Sequence, residues 1–87
     1  MHYIYILYSP VIGRYFVGSA SNPGKNLDRH NSGKNKRTKS GIPWNLVCTE
    51  GFKTREEAVK KEKLIKSSES RQELIGFIKK MNGKPFT

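Results

Sequence analysis

Apolar and polar residues divide the first part of the chain into short strands. Residues 2–8, His-Tyr-Ile-Tyr-Ile-Leu-Tyr, are all aromatic or branched aliphatic. A strand that is apolar at every position is typical of one covered on both faces, so we predict a central strand there. Ser9-Pro10 ends it and Gly13 marks a turn. Residues 14–18 then predict the second strand of an antiparallel hairpin.

The middle of the chain is polar and basic. Asn22-Pro23 is typical of a helix start, and Leu27 and His30, three residues apart, predict a short helix that ends by Gly33. Four cations then fall within residues 34–39, which predicts an exposed loop. After Pro43, residues 44–49 predict a third strand.

Alternation along that third strand predicts which side chains share a face. Side chains two residues apart lie on the same side of a strand, so we expect Trp44, Leu46 and Cys48 to lie together.

The last third of the chain predicts two helices. Thr54 is a suitable N-cap and Glu57, three residues later, completes a capping box, so we predict a helix from there to about Lys66. A second helix is predicted from about Ser70 to Met81, before Gly83-Lys84-Pro85 ends the ordered pattern. Its apolar residues, which share one face, are Leu74, Ile75, Phe77, Ile78 and Met81.

These elements predict an α+β fold, a three-stranded antiparallel sheet flanked by helices. With 87 residues the chain is too short for a second hydrophobic core, so we expect one domain over residues 1–87.

Charge narrows the class of partner. Seventeen Lys and Arg residues against seven Asp and Glu residues give a net charge of +10. This excess favours a polyanion, with nucleic acid ahead of an acidic protein or a membrane surface. Cys48 is the only cysteine, which excludes an intramolecular disulfide and a cysteine zinc cluster. With no apolar run of about 18 residues and no basic leader, we expect a cytoplasmic protein without a membrane span.

Glu62 is the most informative acidic residue. Helical spacing places it between Ala58 and Ile65 on the stripe that faces the sheet, where a carboxylate is costly unless it is paired or binds a metal. Two interpretations stay open: an ion pair at the margin with Lys61, Lys66 or another cation, or a ligand for a divalent ion. The remaining acidic residues are scattered, so a metal here would be a largely hydrated Mg²⁺ on one carboxylate.

Other candidates also allow a structural and a functional interpretation. A tyrosine of the hairpin, such as Tyr5, is either a structural hydroxyl or a proton relay beside metal-bound water. His30 is either a helix-end residue bonded to backbone or a proton relay or phosphate contact. The basic residues form either a solvated face or a nucleic-acid-binding surface, for which the candidates are Lys25, Lys34, Lys36, Arg37 and Lys39.

The order of these motifs resembles the GIY-YIG nuclease family, in particular small stand-alone members similar to the nuclease module of bacterial excision-repair proteins. Tyr3-Ile4-Tyr5 resembles the first motif, and Phe16-Val17-Gly18 occupies the second. Residues 27–33, Leu-Asp-Arg-His-Asn-Ser-Gly, resemble the helix and turn that follow. Lys61-Glu62-Lys63 resembles the helix that carries the family's metal-binding glutamate.

This resemblance implies metal-dependent cleavage of phosphodiester bonds, with DNA as the expected partner. It assigns Mg²⁺ or Mn²⁺ to Glu62, activation of water to Tyr5, and supporting catalytic roles to His30 and Arg29. Phe16 stands where the family has its second tyrosine and has no hydroxyl. Asn26 stands where the family's catalytic arginine is expected, and Arg29, one helical turn later, is the candidate to contact the same phosphate in its place.

Two hypotheses follow from these departures. The chain is either a GIY-YIG endonuclease whose activity is reduced or lost, or a non-catalytic nucleic-acid-binding module on the same fold. The sequence leaves the oligomeric state and the DNA structure recognised open.

Overall fold

Three strands and three α-helices make up the fold of the residues that the structure describes. The computed structural model describes residues 1–67 and 71–82. The strands are β1 (His2–Ser9), β2 (Arg14–Ala20) and β3 (Asn45–Phe52), and the helices are α1 (Pro23–Asn31), α2 (Arg55–Lys66) and α3 (Arg71–Asn82). The sheet order is β2-β1-β3 and both pairings are antiparallel. The predicted α+β class and the central position of the first strand are therefore confirmed.

A tight turn joins β1 to β2. Gly13 adopts φ +62°, in the left-handed region that favours glycine. Its backbone N–H donates to the Ser9 carbonyl at 2.8 Å, while the backbone N–H of Ile12 donates to the Ser9 hydroxyl at 3.2 Å. These bonds satisfy the polar groups of Ser9, which is fully buried.

β1 separates two hydrophobic clusters, as its uninterrupted apolar sequence predicts. Ile4 and Ile6 face α2 and α3, whereas Tyr5 and Leu7 face α1 and the loop that follows it. The first cluster includes Ile4, Ile6, Val17, Cys48, Ala58, Ile65 and Ile78. The second contains Tyr5, Leu7, Ala20 and Trp44, with Phe16, Leu27 and Ile42 packed against it.

A bulge in β3 makes one prediction wrong. Ile6 pairs with Cys48 but the next residue, Leu7, pairs with Leu46, so β3 contains an extra residue at this point. An extra residue reverses the alternation of side chains between the two faces. Trp44 consequently packs in the cluster of Leu7, while Cys48 packs in the opposite cluster.

The predicted helix starts are confirmed by their capping contacts. The Asn22 side chain accepts from the backbone N–H of Lys25 at 3.2 Å, and Pro23 is the first residue of α1. At α2, the Thr54 hydroxyl accepts from the backbone N–H of Glu57 at 3.3 Å. The same hydroxyl donates to the Glu57 carboxylate at 3.2 Å.

α3 covers the sheet beside α2. Ile78 is buried and Leu74 and Phe77 pack against the same cluster, which confirms the predicted apolar face for these residues. The predicted start at Ser70, the side chain of Met81 and the predicted stop at Gly83-Lys84-Pro85 lie outside the described residues. Within residues 1–67 and 71–82, the helices are too short or too polar to cross a membrane.

Candidate functional site

Tyr5 owes its position to a glycine on the neighbouring strand. Gly18 of β2 pairs directly with Tyr5 of β1, and the phenol ring lies over it. A Cβ built on Gly18 would be 2.6 Å from Tyr5 Oη, closer than such atoms approach. The absence of a side chain at Gly18 therefore allows the Tyr5 hydroxyl to reach α1.

A chain of buried hydrogen bonds starts at that hydroxyl. Tyr5 Oη lies 3.2 Å from His30 Nε2, and His30 Nδ1 lies 2.9 Å from Thr38 Oγ1. The Thr38 hydroxyl donates to the Asn35 carbonyl at 3.5 Å. Tyr5 Oη already accepts from the Asn26 amide at 3.4 Å, so we assign His30 Nε2 as the acceptor of the Tyr5 proton, which leaves the His30 proton on Nδ1.

Burial keeps both rings of this pair neutral. Burial raises the pKa of the Tyr5 phenol, and the Glu62 charge adds to this effect, whereas Asn26 and Arg29 oppose it. Burial also lowers the pKa of His30, with a further contribution from the Arg29 charge. At neutral pH, His30 is therefore an uncharged acceptor held against an uncharged phenol.

α1 places three candidate residues within little more than one turn. The Asn26 amide donates to Tyr5 Oη at 3.4 Å, so Asn26 contacts the predicted catalytic tyrosine directly. Arg29 is exposed, and its charge lowers the pKa of both Tyr5 and His30. His30 itself is 4% exposed. The structural alternative predicted for His30 was a hydrogen bond to backbone. Its ring nitrogens instead bond to the side chains of Tyr5 and Thr38.

Phe16 fills the space beside this network with an apolar ring. Its centroid lies 4.7 Å from that of His30 and 6.3 Å from that of Tyr5. The ring also meets Trp44 edge-on at 6.3 Å. Phe16 therefore packs against the site but offers no group that can bind or transfer a proton.

Glu62 approaches the site from the opposite side of the edge strand β2. Its Oε2 lies 2.7 Å from Lys66 Nζ, and its side chain is 17% exposed. Partial burial acts to raise the pKa of the Glu62 carboxyl, but hydrogen bonds from Lys66 and Ser19 and the Lys66 charge outweigh it and lower that pKa. This ion pair with Lys66 is the first of the two interpretations that the sequence left open for Glu62.

The loop after α1 is fixed to the site by side-chain bonds to backbone. The Asn31 amide donates to the Trp44 carbonyl at 3.1 Å and its oxygen accepts from the Trp44 backbone N–H at 2.6 Å. The Trp44 indole N–H donates to the Thr38 carbonyl at 2.7 Å. These bonds hold Thr38, which is 1% exposed, against His30.

The predicted nucleic-acid-binding residues are exposed around this anchored loop. Arg37 and Lys39 flank Thr38 in sequence, so both start next to the buried network. Besides Arg29, the exposed basic side chains of α1 and the loop are Lys25, Lys34, Lys36, Arg37 and Lys39. A surface of this charge suits phosphate groups.

The donor set at Glu62 fits one type of metal site. Among the described residues, no three His, Cys, Asp or Glu side chains come together in a group that could hold a metal ion. A hydrated Mg²⁺ or Mn²⁺ needs one or two carboxylates, and water and substrate phosphate supply its other ligands. Glu62 is partly exposed and offers one carboxylate, so it suits a hydrated ion and not an all-protein cage.

The structure brings most of the predicted residues to one place. Tyr5, His30, Phe16 and Asn26 are in contact through hydrogen bonds or ring packing, and Glu62 is close enough for its charge to raise the pKa of Tyr5. Thr38 is a member of this network that was not predicted from the sequence. A threonine among cations has no periodic signal, because its role depends on how the loop folds back onto α1.

Comparisons with known proteins find a family model, related proteins and a solved structure that match this chain. A family model described as the GIY-YIG catalytic domain matches residues 1–74. The UPF0213 protein SSP2268 of Staphylococcus saprophyticus is 40% identical over 78 residues, which cover 88% of this chain and 93% of that protein. The solution NMR structure of the UPF0213 protein BH0048 from Bacillus halodurans superposes with a TM-score of 0.61 at 30% identity, covering 94% of this chain and 86% of that one.

A longer relative has a name that states a function. The structure-specific endonuclease subunit SLX1 homolog of Cryptosporidium parvum is 39% identical over 67 residues, which cover 71% of this chain. The chain spans 16% of that protein and 56% of a UPF0213 protein of Streptococcus pneumoniae. These matches support a nuclease-type domain.

Proposed function

Because the chain belongs to the GIY-YIG family, we propose that it cleaves phosphodiester bonds in DNA with Mg²⁺ or Mn²⁺ held by Glu62. The observation that carries this proposal is the hydrogen-bond chain from Tyr5 through His30 to Thr38, with the Glu62 charge nearby. A neutral acceptor nitrogen aimed at a phenol is an arrangement suited to moving a proton.

The proton has a defined route through these residues. A water that attacks phosphorus transfers its proton to Tyr5 Oη as the phenol proton passes to His30 Nε2. Thr38 accepts the hydrogen bond of His30 Nδ1 throughout, so the imidazolium that forms stays bonded. Tyr5 need not exist as a free phenolate, which its raised pKa disfavours.

Residues around the Tyr5–His30 pair are proposed to supply the positive charge that stabilises the phosphate. Glu62 would hold the divalent ion, which when bound would polarise a phosphoryl oxygen and stabilise the leaving oxygen. Arg29 is the proposed contact for the scissile phosphate, since it is exposed one turn after Asn26 and acts electrostatically on Tyr5 and His30. The exposed cations of the 34–39 loop are proposed to bind neighbouring phosphates.

A cleavage assay with matched acidic variants tests this function. Labelled single-stranded, duplex and branched DNA are incubated with Mg²⁺ or Mn²⁺ and the wild-type protein, Glu62→Gln or Glu56→Gln. Glu56 is exposed near the start of α2, so its variant removes the same charge from the same helix. We expect cleavage by wild type and Glu56→Gln and a rate at least about 100-fold lower in Glu62→Gln, the scale expected when one group that stabilises the transition state is removed. Equal rates for the two variants would contradict the role of Glu62.

Two observations favour a second candidate function, binding of nucleic acid without cleavage. Phe16 provides no hydroxyl, and Asn26 provides no charge. This candidate predicts a mobility shift of DNA by wild type but no cleavage with either metal. Cleavage that appears only in the double variant Phe16→Tyr, Asn26→Arg would identify a nuclease whose activity has been lost.

The proposed location is the cytoplasm. Cys48 is a free, buried thiol on β3. Burial first, and the nearby Glu50 charge second, raise the pKa of this thiol to about 11, so it is unreactive and compatible with a reducing compartment.

A further inference from the structure

The ammonium group of Lys66 lies close to both the Glu62 carboxylate and the Phe16 ring. Lys66 is the last residue of α2, and its Nζ lies 2.7 Å from Glu62 Oε2. The same Nζ lies 5.8 Å from the centroid of the Phe16 ring. Phe16 packs in the cluster on the α1 side, whereas α2 packs on the other side of the sheet. The Lys66 side chain therefore passes the edge strand β2 to reach its position.

Two contacts stabilise the ammonium at this position. The carboxylate provides a charged hydrogen bond, and the aromatic face attracts a cation through its quadrupole. Glu62 is the more buried member of the pair, at 17% exposure against 50% for the Lys66 side chain. Release of the pair thus requires movement of Lys66 into water, which its exposed stem allows, and not movement of Glu62.

An ammonium and a divalent ion compete for a single carboxylate. The two oxygens of a carboxylate are so close that a metal on either one would lie only a few ångströms from an ammonium bonded to the other. Like charges at that distance repel, and among the described residues Glu62 belongs to no group of three or more His, Cys, Asp or Glu side chains that would offset the repulsion. Departure of the ammonium would therefore favour binding of a divalent ion to Glu62.

Building on the proposed function, in which Glu62 holds the metal, we propose that Lys66 is a positioning residue that occupies Glu62 as a built-in counter-ion and competes there with a divalent ion. Lys66 thereby sets the metal affinity of the site. It also holds the Glu62 carboxylate in place beside β2 while the metal is absent.

Mn²⁺ binding to the protein without DNA tests this competition. Calorimetric titrations compare wild type with Lys66→Met, which keeps the length of the side chain and removes its charge. Lys63→Met is the matched control, because Lys63 is an exposed lysine in the same last turn of α2. We expect Lys66→Met to bind Mn²⁺ about fivefold more tightly than Lys63→Met, the value of an ion pair worth ~1 kcal/mol. Lys66→Arg, which restores the charge, should return the affinity to the wild-type value.

Glu62→Gln separates this inference from the function on which it depends. If Mn²⁺ affinity falls in Glu62→Gln but is equal in Lys66→Met and Lys63→Met, the metal site stands and the competition is refuted. If Glu62→Gln leaves Mn²⁺ affinity unchanged, the proposed metal site fails and the competition fails with it. Circular dichroism checks that each variant is folded, and Lys66→Gln replaces Lys66→Met if the apolar side chain perturbs the helix.

Discussion

Replacement of Thr38 by valine tests the hydrogen-bond chain of the site with little change in shape. In the tautomer assigned above, the Thr38 hydroxyl accepts from His30 Nδ1, which lies 2.9 Å away, and valine has a methyl group in its place. Thr38 is 1% exposed and His30 is 4% exposed, so little room exists for water to replace the missing acceptor. The variant therefore leaves a buried N–H without a partner.

The expected magnitude follows from that unpaired donor. A buried hydrogen-bonding group that loses its partner costs about 1–3 kcal/mol, more than the net value of an average hydrogen bond. The second bond of the Thr38 hydroxyl, to the Asn35 carbonyl at 3.5 Å, is long and adds little. We expect a loss of about 2 kcal/mol in the free energy of unfolding, or about 8–16 °C in Tm for a domain of this size.

Urea denaturation followed by the fluorescence of Trp44 measures this loss, since Trp44 is the only tryptophan and packs beside Thr38. Thr49→Val is the control, because Thr49 is exposed on β3 and the same change there should stay within about 0.5 kcal/mol. Equal losses in the two variants would refute the Thr38–His30 bond. Long-range ¹H–¹⁵N spectra report the protonated nitrogen of His30, and a proton on Nε2 would refute the direction assigned to the Tyr5–His30 bond.

Three further predictions test the charges and packing around the site. Burial, with a smaller effect of the Arg29 charge, lowers the pKa of His30. The contribution of His30 to the free energy of unfolding should therefore be complete above about pH 6.5 and decrease as the pH falls below that value. The urea midpoints at pH 7.5 and pH 5.5 should differ less in His30→Gln than in the wild-type protein. A methyl group in Gly18→Ala must displace the Tyr5 ring, which should cost about 1–3 kcal/mol, whereas Gly76→Ala, with open space around it on α3, should not destabilise the protein. The four cations of the loop, Lys34, Lys36, Arg37 and Lys39, can be replaced together by glutamine. This change should reduce the slope of log DNA affinity against log salt concentration by about 0.9 for each phosphate that the loop no longer neutralises. An unchanged slope would exclude the loop as the DNA interface.

Elements with local causes were predictable from the sequence. The caps at Asn22 and Thr54 involve partners three residues away, so helix starts follow from short motifs. The apolar sequence of β1 requires cover on both faces, whatever elements provide it. The faces of Trp44 and Cys48 were not predictable in the same way. The bulge in β3 is a property of its pairing with β1, and alternation along one strand carries no information about it.

The same distinction applies to the candidate site. Lys66 was a possible partner of Glu62 from the start, because residues four apart on a helix are neighbours. Tyr5 and His30 are 25 residues apart, and their contact depends on how α1 crosses the sheet. The family resemblance suggested both residues for catalysis but not the bond between them. The role of Thr38 was harder still to predict, because it depends on how the loop is fixed to α1 by the hydrogen bonds between Asn31 and Trp44.

The contact of Asn26 with Tyr5 changes the interpretation of the missing arginine. If Asn26 only lacked a charge, Asn26→Arg would be expected to improve phosphate binding and catalysis. However, the Asn26 amide donates to Tyr5 Oη, and this bond is the largest of the effects that lower the pKa of Tyr5. An arginine there that reached out to a phosphate would withdraw the donor and leave the effect of burial on the phenol less opposed.

Asn26→Arg alone therefore has two opposing effects on cleavage. It adds a charge for the phosphate and removes a donor from Tyr5. Asn26→Leu separates these effects, because it removes the donor and adds no charge. If the amide serves Tyr5, Asn26→Leu should raise the pKa of Tyr5, measured by ultraviolet titration of the phenol against Tyr5→Phe, with DNA affinity nearly unchanged. An unaltered titration in Asn26→Leu would mean that the 3.4 Å contact does not polarise the phenol. The only effect of Asn26 on the site would then be the absence of the charge that the family's arginine provides.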